Sequence, residues 1–145
     1  MTVLVDANLL LYAVDETSPF HARAASWMTE RLNGSRQVGL PWQSLVAFVR
    51  ISTNPRAAAD PLPPEAAWAQ VAEWLAAGPA WIPTPTARHE DVLGSLLRRY
   101  QLRANLVSDA DLAALAIEHG LTVCSADTDF ARFTDVRWEN PLAGG

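Results

Sequence analysis

Short apolar runs rich in β-branched residues alternate along this chain with longer stretches of helical spacing. The strand-like runs are residues 2–5, 37–40, 81–82, 121–124 and 136–138. Helices are predicted at residues 7–14, 20–32, 42–53, 65–77, 86 or 87 to 100, and 109–119, and a helical turn at 127–133. Strands that are joined through helices run parallel. The alternation therefore predicts an α/β fold with a mainly parallel sheet covered on both faces.

The size and composition of the chain suit one compact domain. It has 145 residues, of which 50% are hydrophobic, so we expect a single domain over residues 1–145. The single cysteine, Cys124, lies in an apolar run and is expected to be a small buried side chain. No apolar stretch approaches the ~20 residues of a membrane-spanning helix. A cytoplasmic location without membrane contact is the expectation.

The net charge limits the ways in which this chain could bind nucleic acid. The net charge is −5, with 16 acidic residues against 11 basic ones. This excludes a protein that coats nucleic acid with a uniformly positive surface. It does not exclude a nucleic-acid enzyme, because a divalent cation held by several acids reverses the local field and lets a phosphate approach.

Four aspartates stand where the strands and helices of such a sheet would bring them together. Asp6 follows the first strand, Asp127 and Asp129 follow the fourth, and Asp109 follows Ser108 at a predicted helix start. Ligands bind open parallel sheets outside the carboxyl ends of the strands. Carboxylates gathered there would repel one another unless a cation lay between them.

Helix capping is the alternative explanation for each acid taken alone. Asp6 could cap the helix 7–14, and Asp127 could cap the turn leading to Phe130. With Ser108 as the cap of the helix 109–119, Asp109 and Asp111 would lie in its first turn. Capping needs one acid per helix, so it does not explain all four acids together.

Four segments of the chain resemble a known family. They are VLVDAN at 3–8, WQSLVAFVRISTNP at 42–55, NLVSDADLAALAIEHGLTVCSADTDFARF at 105–133 and WENPL at 138–142. In order and spacing they are similar to PIN-domain ribonucleases, and more narrowly to the VapC toxins of type II toxin–antitoxin pairs. The resemblance spans nearly the whole chain.

The resemblance implies a fold and an activity. The fold would be a three-layer α/β/α sandwich around a short, mainly parallel sheet. The activity would be that of a metal-dependent endoribonuclease toxin, which cleaves a structured RNA such as a tRNA or rRNA loop to 5′-phosphate and 3′-hydroxyl products. The cofactor would be Mg²⁺, with Mn²⁺ as a substitute. The partners would be the RNA substrate, a VapB-like antitoxin and a second copy of the chain in a homodimer.

The resemblance also assigns roles to residues. Asp6, Asp109, Asp127 and Asp129 would be catalytic, the first three as metal ligands and Asp129 as support for Asp127. Asn8 would orient a neighbouring acid through a hydrogen bond, although ordinary helix-start chemistry explains it equally well.

The chain departs from the family pattern in the helix 42–53. Many PIN nucleases carry a glutamate there, aligned near Phe48, whereas this helix contains no acid. Ser44 or Thr53 could hold a water at the metal instead. The alternative function that follows is a catalytically weak PIN module that binds RNA or a protein partner.

Four residues are candidate contacts for the RNA substrate. Asn8, Ser44, Arg50 and Arg99 are the residues expected to touch RNA, with solvated helix faces as the alternative for the arginines. A structural role rather than RNA or metal binding is expected for the remaining arginines, tryptophans and histidines of note: Arg56, Arg98, Arg103, Trp68, Trp74, His21, His89 and His119.

Overall fold

The computed structural model describes residues 1–143, and its centre is a five-stranded parallel sheet in the order β3-β2-β1-β4-β5. The strands are β1 (Val3–Val5), β2 (Val38–Gly39), β3 (Ala80–Trp81), β4 (Thr122–Cys124) and β5 (Arg137–Glu139). The expected parallel sheet is confirmed. Within the described residues, no helix is both long and apolar enough to cross a bilayer.

Six α-helices are present in residues 1–143. They are α1 (Ala7–Val14), α2 (His21–Leu32), α3 (Trp42–Ser52), α4 (Pro64–Ala76), α5 (His89–Tyr100) and α6 (Asn105–His119). A short 3₁₀ helix, Thr128–Arg132, follows β4. Pro64 occupies the first turn of α4, and Gly120 ends α6 with a φ of 67°, both as their sequence positions predict.

The helices divide between the two faces of the sheet, because successive side chains of each strand point to opposite faces. Val3, Val5 and Cys124 pack into one core, which is completed mainly by α1, α2, α3 and α4. Leu4 and Val123 pack into the other core with α5, α6 and the 3₁₀ helix. The three-layer α/β/α sandwich is therefore confirmed. Cys124 is fully buried, as expected, and burial raises the pKa of its thiol to about 12.

Two predicted helix starts are wrong: α5 begins at His89 and not at residue 86 or 87, and α6 begins earlier than predicted. The helix expected over residues 109–119 begins one turn earlier, at Asn105, so Ser108 is inside α6 and does not cap it. The start carries no sequence signal, because the N-cap is Ala104, which makes no side-chain capping bond and has a φ of 54°. Asp109 and Asp111 therefore lie beyond the first turn of the helix, where a capping role is not available to them.

Candidate active site

Three carboxylates meet at the carboxyl edge of the sheet. Asp109 projects from α6, while Asp127 and Asp129 flank the start of the 3₁₀ helix that follows β4. One oxygen from each of the three lies within 4.8 Å of the other two. These are the acids of the predicted cluster that the structure brings within reach of a single cation.

Asp6 lies beside this group, at the end of β1. Its backbone N–H donates to the carbonyl of Cys124 at 3.0 Å, which fixes it next to the end of β4. The Asp6 carboxylate accepts hydrogen bonds from the N–H of Ala7 at 2.8 Å and from the hydroxyl of Ser125 at 2.7 Å. Asp6 is thus the N-cap of α1 and a neighbour of the acidic group at the same time.

Asn8 links these two strand ends. Its amide nitrogen donates to Ser125 Oγ at 3.0 Å and, more weakly, to Asp6 Oδ2 at 3.4 Å. Its amide oxygen accepts from the N–H of Ala126 at 3.1 Å. Asn8 therefore orients Asp6 and Ser125, as the sequence suggested.

The 3₁₀ helix holds Asp127 and Asp129 in different ways. Asp127 caps the helix by accepting from the N–H of Asp129 at 2.8 Å, and its own N–H donates to Ser125 Oγ at 3.0 Å. Asp129 is half exposed and pairs with Arg132 at 3.3 Å. One oxygen of Asp127 accepts the capping hydrogen bond, and the other oxygen takes no part in the cap.

The raised pKa values of Asp109 and Asp6 show that the carboxylates of this group lie close enough to repel one another. Burial raises the pKa of Asp109 to about 6, and the charges of Asp127, Asp6 and Asp129 add to the rise, with a small opposing effect from Arg132. Burial also raises the pKa of Asp6, against the lowering effect of the Ser125 hydrogen bond. The acids therefore oppose each other's ionisation, which a bound cation would relieve.

The donor set fits a hard divalent cation. It consists of carboxylate oxygens from Asp109, Asp127 and Asp129, with Asp6 adding negative charge, and Mg²⁺ prefers such oxygen ligands with few protein groups. No histidine or cysteine takes part in the group found among residues 1–143. The residues present therefore suit Mg²⁺ or Mn²⁺ better than a thiolate-preferring metal.

The sequence interpretation missed Ser125. Its side chain is fully buried and touches three site residues, as donor to Asp6 and as acceptor from Asn8 and from the N–H of Asp127. Trp138 on β5 supports it by donating its indole N–H to the Ser125 carbonyl at 3.1 Å. The available signal was a hydroxyl residue between β4 and Asp127, two positions before an acid.

Helix α3 contains no acid, and the position aligned with the family glutamate, Phe48, lies in the core. Phe48 is fully buried in the core with α1, α2 and α4, where its ring meets Trp74 edge-on at 4.8 Å. Thr53 donates its hydroxyl to the carbonyl of Val49 at 2.7 Å, at the C-terminal end of α3, and a role for Thr53 at the metal stays a prediction. Ser44 is 1% exposed, and its hydroxyl has no hydrogen-bond partner among the described residues.

The two candidate RNA-binding arginines differ in their surroundings. Arg50 is exposed in the last turn of α3. Arg99 donates from Nη1 to both oxygens of Asp135, at 2.8 and 2.7 Å, and lies over the ring of Tyr100. The structure therefore gives Arg99 a carboxylate partner that its sequence position did not reveal.

His89 lies between two carboxylates of α6. Its ring nitrogens are 2.7 Å from Asp111 and 2.5 Å from Glu118, and Glu118 also accepts two hydrogen bonds from Thr86. Burial acts to lower the pKa of His89, but hydrogen bonds and charge from Glu118 and Asp111 outweigh it and raise the pKa above 6.5. This arrangement ties the start of α5 to α6 and matches the expected structural histidine.

Comparison with known proteins identifies the family of this chain. The PIN domain family model matches residues 3–136. Ribonuclease VapC37 of Mycobacterium tuberculosis is 49% identical over 140 residues, which cover 97% of both chains.

Two solved structures share the fold at low sequence identity. Mycobacterium tuberculosis VapC20, described as a sarcin-ricin loop cleaving toxin, superposes with a TM-score of 0.67 and 20% identity, over 93% of this chain and 98% of its own. A toxin–antitoxin complex from Klebsiella pneumoniae gives a TM-score of 0.63 and 15% identity, over 96% and 97% of the two chains. With its acids at the carboxyl edge of a parallel sheet and a family match along nearly its whole length, this chain belongs to the PIN-domain family, among the VapC ribonuclease toxins.

Proposed function

We propose that this protein is a Mg²⁺- or Mn²⁺-dependent endoribonuclease and the toxin of a toxin–antitoxin pair. The observation that carries the proposal is the group formed by Asp109, Asp127 and Asp129, whose oxygens lie within 4.8 Å of one another beside Asp6. The relative with 49% identity over 97% of the chain is named a ribonuclease, which supports the same reaction.

Each acid has a distinct part in the proposed site. Asp6, Asp109 and Asp127 are the proposed ligands of the cation, Asp6 from the end of β1. Asp129, whose oxygen lies in the same group as those of Asp109 and Asp127, is the proposed support for Asp127. A cation bound there supplies Lewis-acid chemistry at the scissile phosphate and lowers the pKa of a water molecule. Ser125 and Asn8 hold Asp6 in place through hydrogen bonds that do not involve the substrate.

The substrate and partner are proposed from the relatives. We propose cleavage within an accessible loop of a structured tRNA or rRNA, since VapC20 is described as cleaving the sarcin-ricin loop and loops expose unpaired bases. The toxin–antitoxin complex with the same fold supports a VapB-like antitoxin as the inhibitor. Direct contacts of Arg50, Arg99, Asn8 and Ser44 with RNA stay predictions, although Ser44 is buried and Arg99 is paired.

The test is cleavage of total cellular RNA by the purified chain, free of antitoxin, in Mg²⁺ or Mn²⁺. New 5′ ends are mapped by sequencing, with chelator and with the variants Asp6→Asn and Asp109→Asn as controls. Discrete cuts that need both the cation and the two acids are expected. RNA binding without any cut, from a folded protein with metal supplied, would favour the catalytically weak binding module instead.

A further inference from the structure

Two exposed tryptophans on adjacent helices, α3 and α4, stack on each other. Trp42 at the start of α3 and Trp68 on α4 have ring centroids 6.3 Å apart and an interplanar angle of 8°. In spite of this contact, Trp42 is 43% exposed and Trp68 is 55% exposed. Core packing therefore does not account for this pair, in contrast to Trp74, which is buried.

The pair is tied to the proposed active site by a hydrogen bond. Gln43, next to Trp42, donates from its side chain to the carbonyl of Ser108 at 3.0 Å, and Ser108 precedes Asp109 on α6. This hydrogen bond connects the first turn of α3 to the turn of α6 that carries Asp109.

Further apolar side chains extend the exposed surface around this contact. Val46 is 58% exposed one turn after Trp42, and Val107 is 39% exposed next to Ser108. Single exposed apolar residues are ordinary, whereas several on connected helices mark a candidate binding surface.

The charge on α3 favours a polyanion on this surface. Arg50 follows Trp42 and Val46 at a spacing of four residues, so the three share one exposed side of the helix, and α3 contains no acid. At 1.5 Å per residue, Arg50 lies about 12 Å along the axis from Trp42. A second copy docked symmetrically here would find no carboxylate on α3 for Arg50 but would find Glu65 on α4, so the oligomeric state has to be measured as well. Glu65, exposed on α4 before Trp68, would direct a phosphate backbone toward α3.

We infer that the stacked pair Trp42–Trp68 is a platform for an unpaired base of the RNA substrate, next to the phosphate held at the acids, with Arg50 taking a backbone phosphate further along α3. The inference rests on the proposed ribonuclease function. Base-on-aromatic stacking is tolerant of sequence because every base has a π-face. The platform therefore selects unpaired nucleotides rather than a particular base.

The test measures binding separately from cleavage. A short single-stranded RNA containing 2-aminopurine is titrated into the Asp109→Asn protein in Mg²⁺, and the same substitutions are assayed for cleavage in the otherwise unaltered chain. Trp42→Ala and Trp68→Ala are expected to raise the Kd roughly tenfold and to reduce the quenching of 2-aminopurine. Trp42→Phe keeps an aromatic face and is expected to retain most of the affinity.

The control variant is Phe20→Ala, because Phe20 is a similarly exposed aromatic residue at the opposite end of α1 from Asp6. It is expected to leave the Kd unchanged. Sedimentation velocity of every variant reports the oligomeric state, and circular dichroism reports folding.

Three outcomes overturn the inference. If Trp42→Ala leaves the Kd unchanged while the unaltered chain still cuts RNA, the platform is wrong and the proposed function stands. If Trp42→Ala and Trp68→Ala turn a dimer into a monomer with unchanged RNA affinity per chain, the surface is an interface between two copies. If the unaltered chain neither binds nor cuts RNA, the proposed function fails and the platform with it.

Discussion

At the scale of single residues, two of the acids serve a helix and the acidic group together. Asp6 and Asp127 each give one oxygen to an N–H group at a helix start. The second oxygen of Asp6 accepts from Ser125 and Asn8 beside the acidic group, and the second oxygen of Asp127 takes no part in its cap. Capping and cation binding both favour the ionised carboxylate. The capping explanation and the catalytic one are therefore compatible for these two residues, whereas Asp109 caps nothing and is present at a cost to the metal-free fold.

The raised pKa of Asp109 predicts that Asp109→Asn stabilises the metal-free protein. An acid with a folded pKa of about 6, against an ordinary 3.8, destabilises the fold once pH rises above 3.8, and the penalty is complete above about 6. After allowance for solvent screening we expect a gain of about 1 kcal/mol at pH 7.5, or roughly 2–4 °C in Tm, and none near pH 3.5. Calorimetry in chelator measures it, with Asp60→Asn, which removes an exposed acid from the loop before α4, as the control. A lower Tm at pH 7.5 would contradict the prediction.

Ser125 is predicted to act by positioning Asp6. Ser125→Ala leaves Asp6 without its 2.7 Å hydrogen bond and the N–H of Asp127 without its acceptor. We expect a loss of stability of about 1–3 kcal/mol and a lower kcat for RNA cleavage with little change in KM. Ser125→Thr retains the hydroxyl and should recover part of kcat. Equal kcat values for the alanine variant and the unaltered chain would show that Asp6 needs no such support.

At the scale of elements, α3 shows why the missing glutamate cannot simply be restored at the aligned position. Phe48→Glu would place a carboxylate in the apolar core against Trp74. We expect it to destabilise the fold by about 3–5 kcal/mol, through the lost packing and the buried charge, without tighter Mn²⁺ binding. Chemical denaturation and metal titration test this, with Phe48→Leu as the apolar control. Tighter Mn²⁺ binding by a folded Phe48→Glu protein would show that the position does reach the acids.

The link between α5 and α6 is predicted to depend on pH. The pKa of His89 is raised above 6.5, so its contribution is complete below pH 6.5 and is lost as pH rises through the folded value. The pKa of Glu118 is lowered below 4.5 by Thr86 and His89 against the effect of burial, so its contribution is complete above pH 4.5 and is lost as pH falls through the folded value. Both are present together between about pH 4.5 and 6.5.

The variant His89→Gln tests this link. Urea unfolding at pH 5.5, 7 and 9 should show the largest stability difference from the unaltered chain at pH 5.5 and a smaller one at pH 9. Taking the difference at each pH cancels the titration of the acidic group. A difference that grows with pH would mean that Glu118 and Asp111 do not hold the histidine charged.

At the scale of the whole molecule, the acidic group couples cation binding to the stability of the fold. The acids come from three separate segments, after β1, on α6 and after β4, so a cation that joins them binds the folded chain and not the unfolded one. At one hundred times the dissociation constant, Mn²⁺ should add about 2.7 kcal/mol, or roughly 5–10 °C in Tm, to the unaltered chain. Asp109→Asn should lose most of this shift and chelator should reverse it. A shift of the same size in that variant would place the bound cation elsewhere.

Two properties of the whole molecule stay predictions, namely the single domain over residues 1–145 and the homodimer. Sedimentation of the purified chain tests the dimer directly, and the same measurement serves the tryptophan variants. A protein that sediments as a monomer at all concentrations would show that the predicted homodimer does not form.

The sequence by itself determined the features that depend on local patterns. Alternating strand-like and helical segments fixed the parallel α/β sandwich, and Pro64 and Gly120 marked helix ends through their own backbone geometry. The aspartates after β1 and β4 were predicted to meet because parallel strands end at one edge. The start of α6 was missed, since Ala104 begins that helix without a capping side chain.

Only the tertiary structure decided which groups touch. Ser125 and Asn8 are 117 residues apart in sequence, and no local pattern marks their hydrogen bond. The pairing of Arg99 with Asp135, the burial of Phe48 and the stacking of Trp42 on Trp68 likewise depend on how separate elements pack. The physical reason is that spacing along the chain sets which face of an element a side chain occupies, whereas its partner is set by the neighbouring element, which only the folded chain brings into contact.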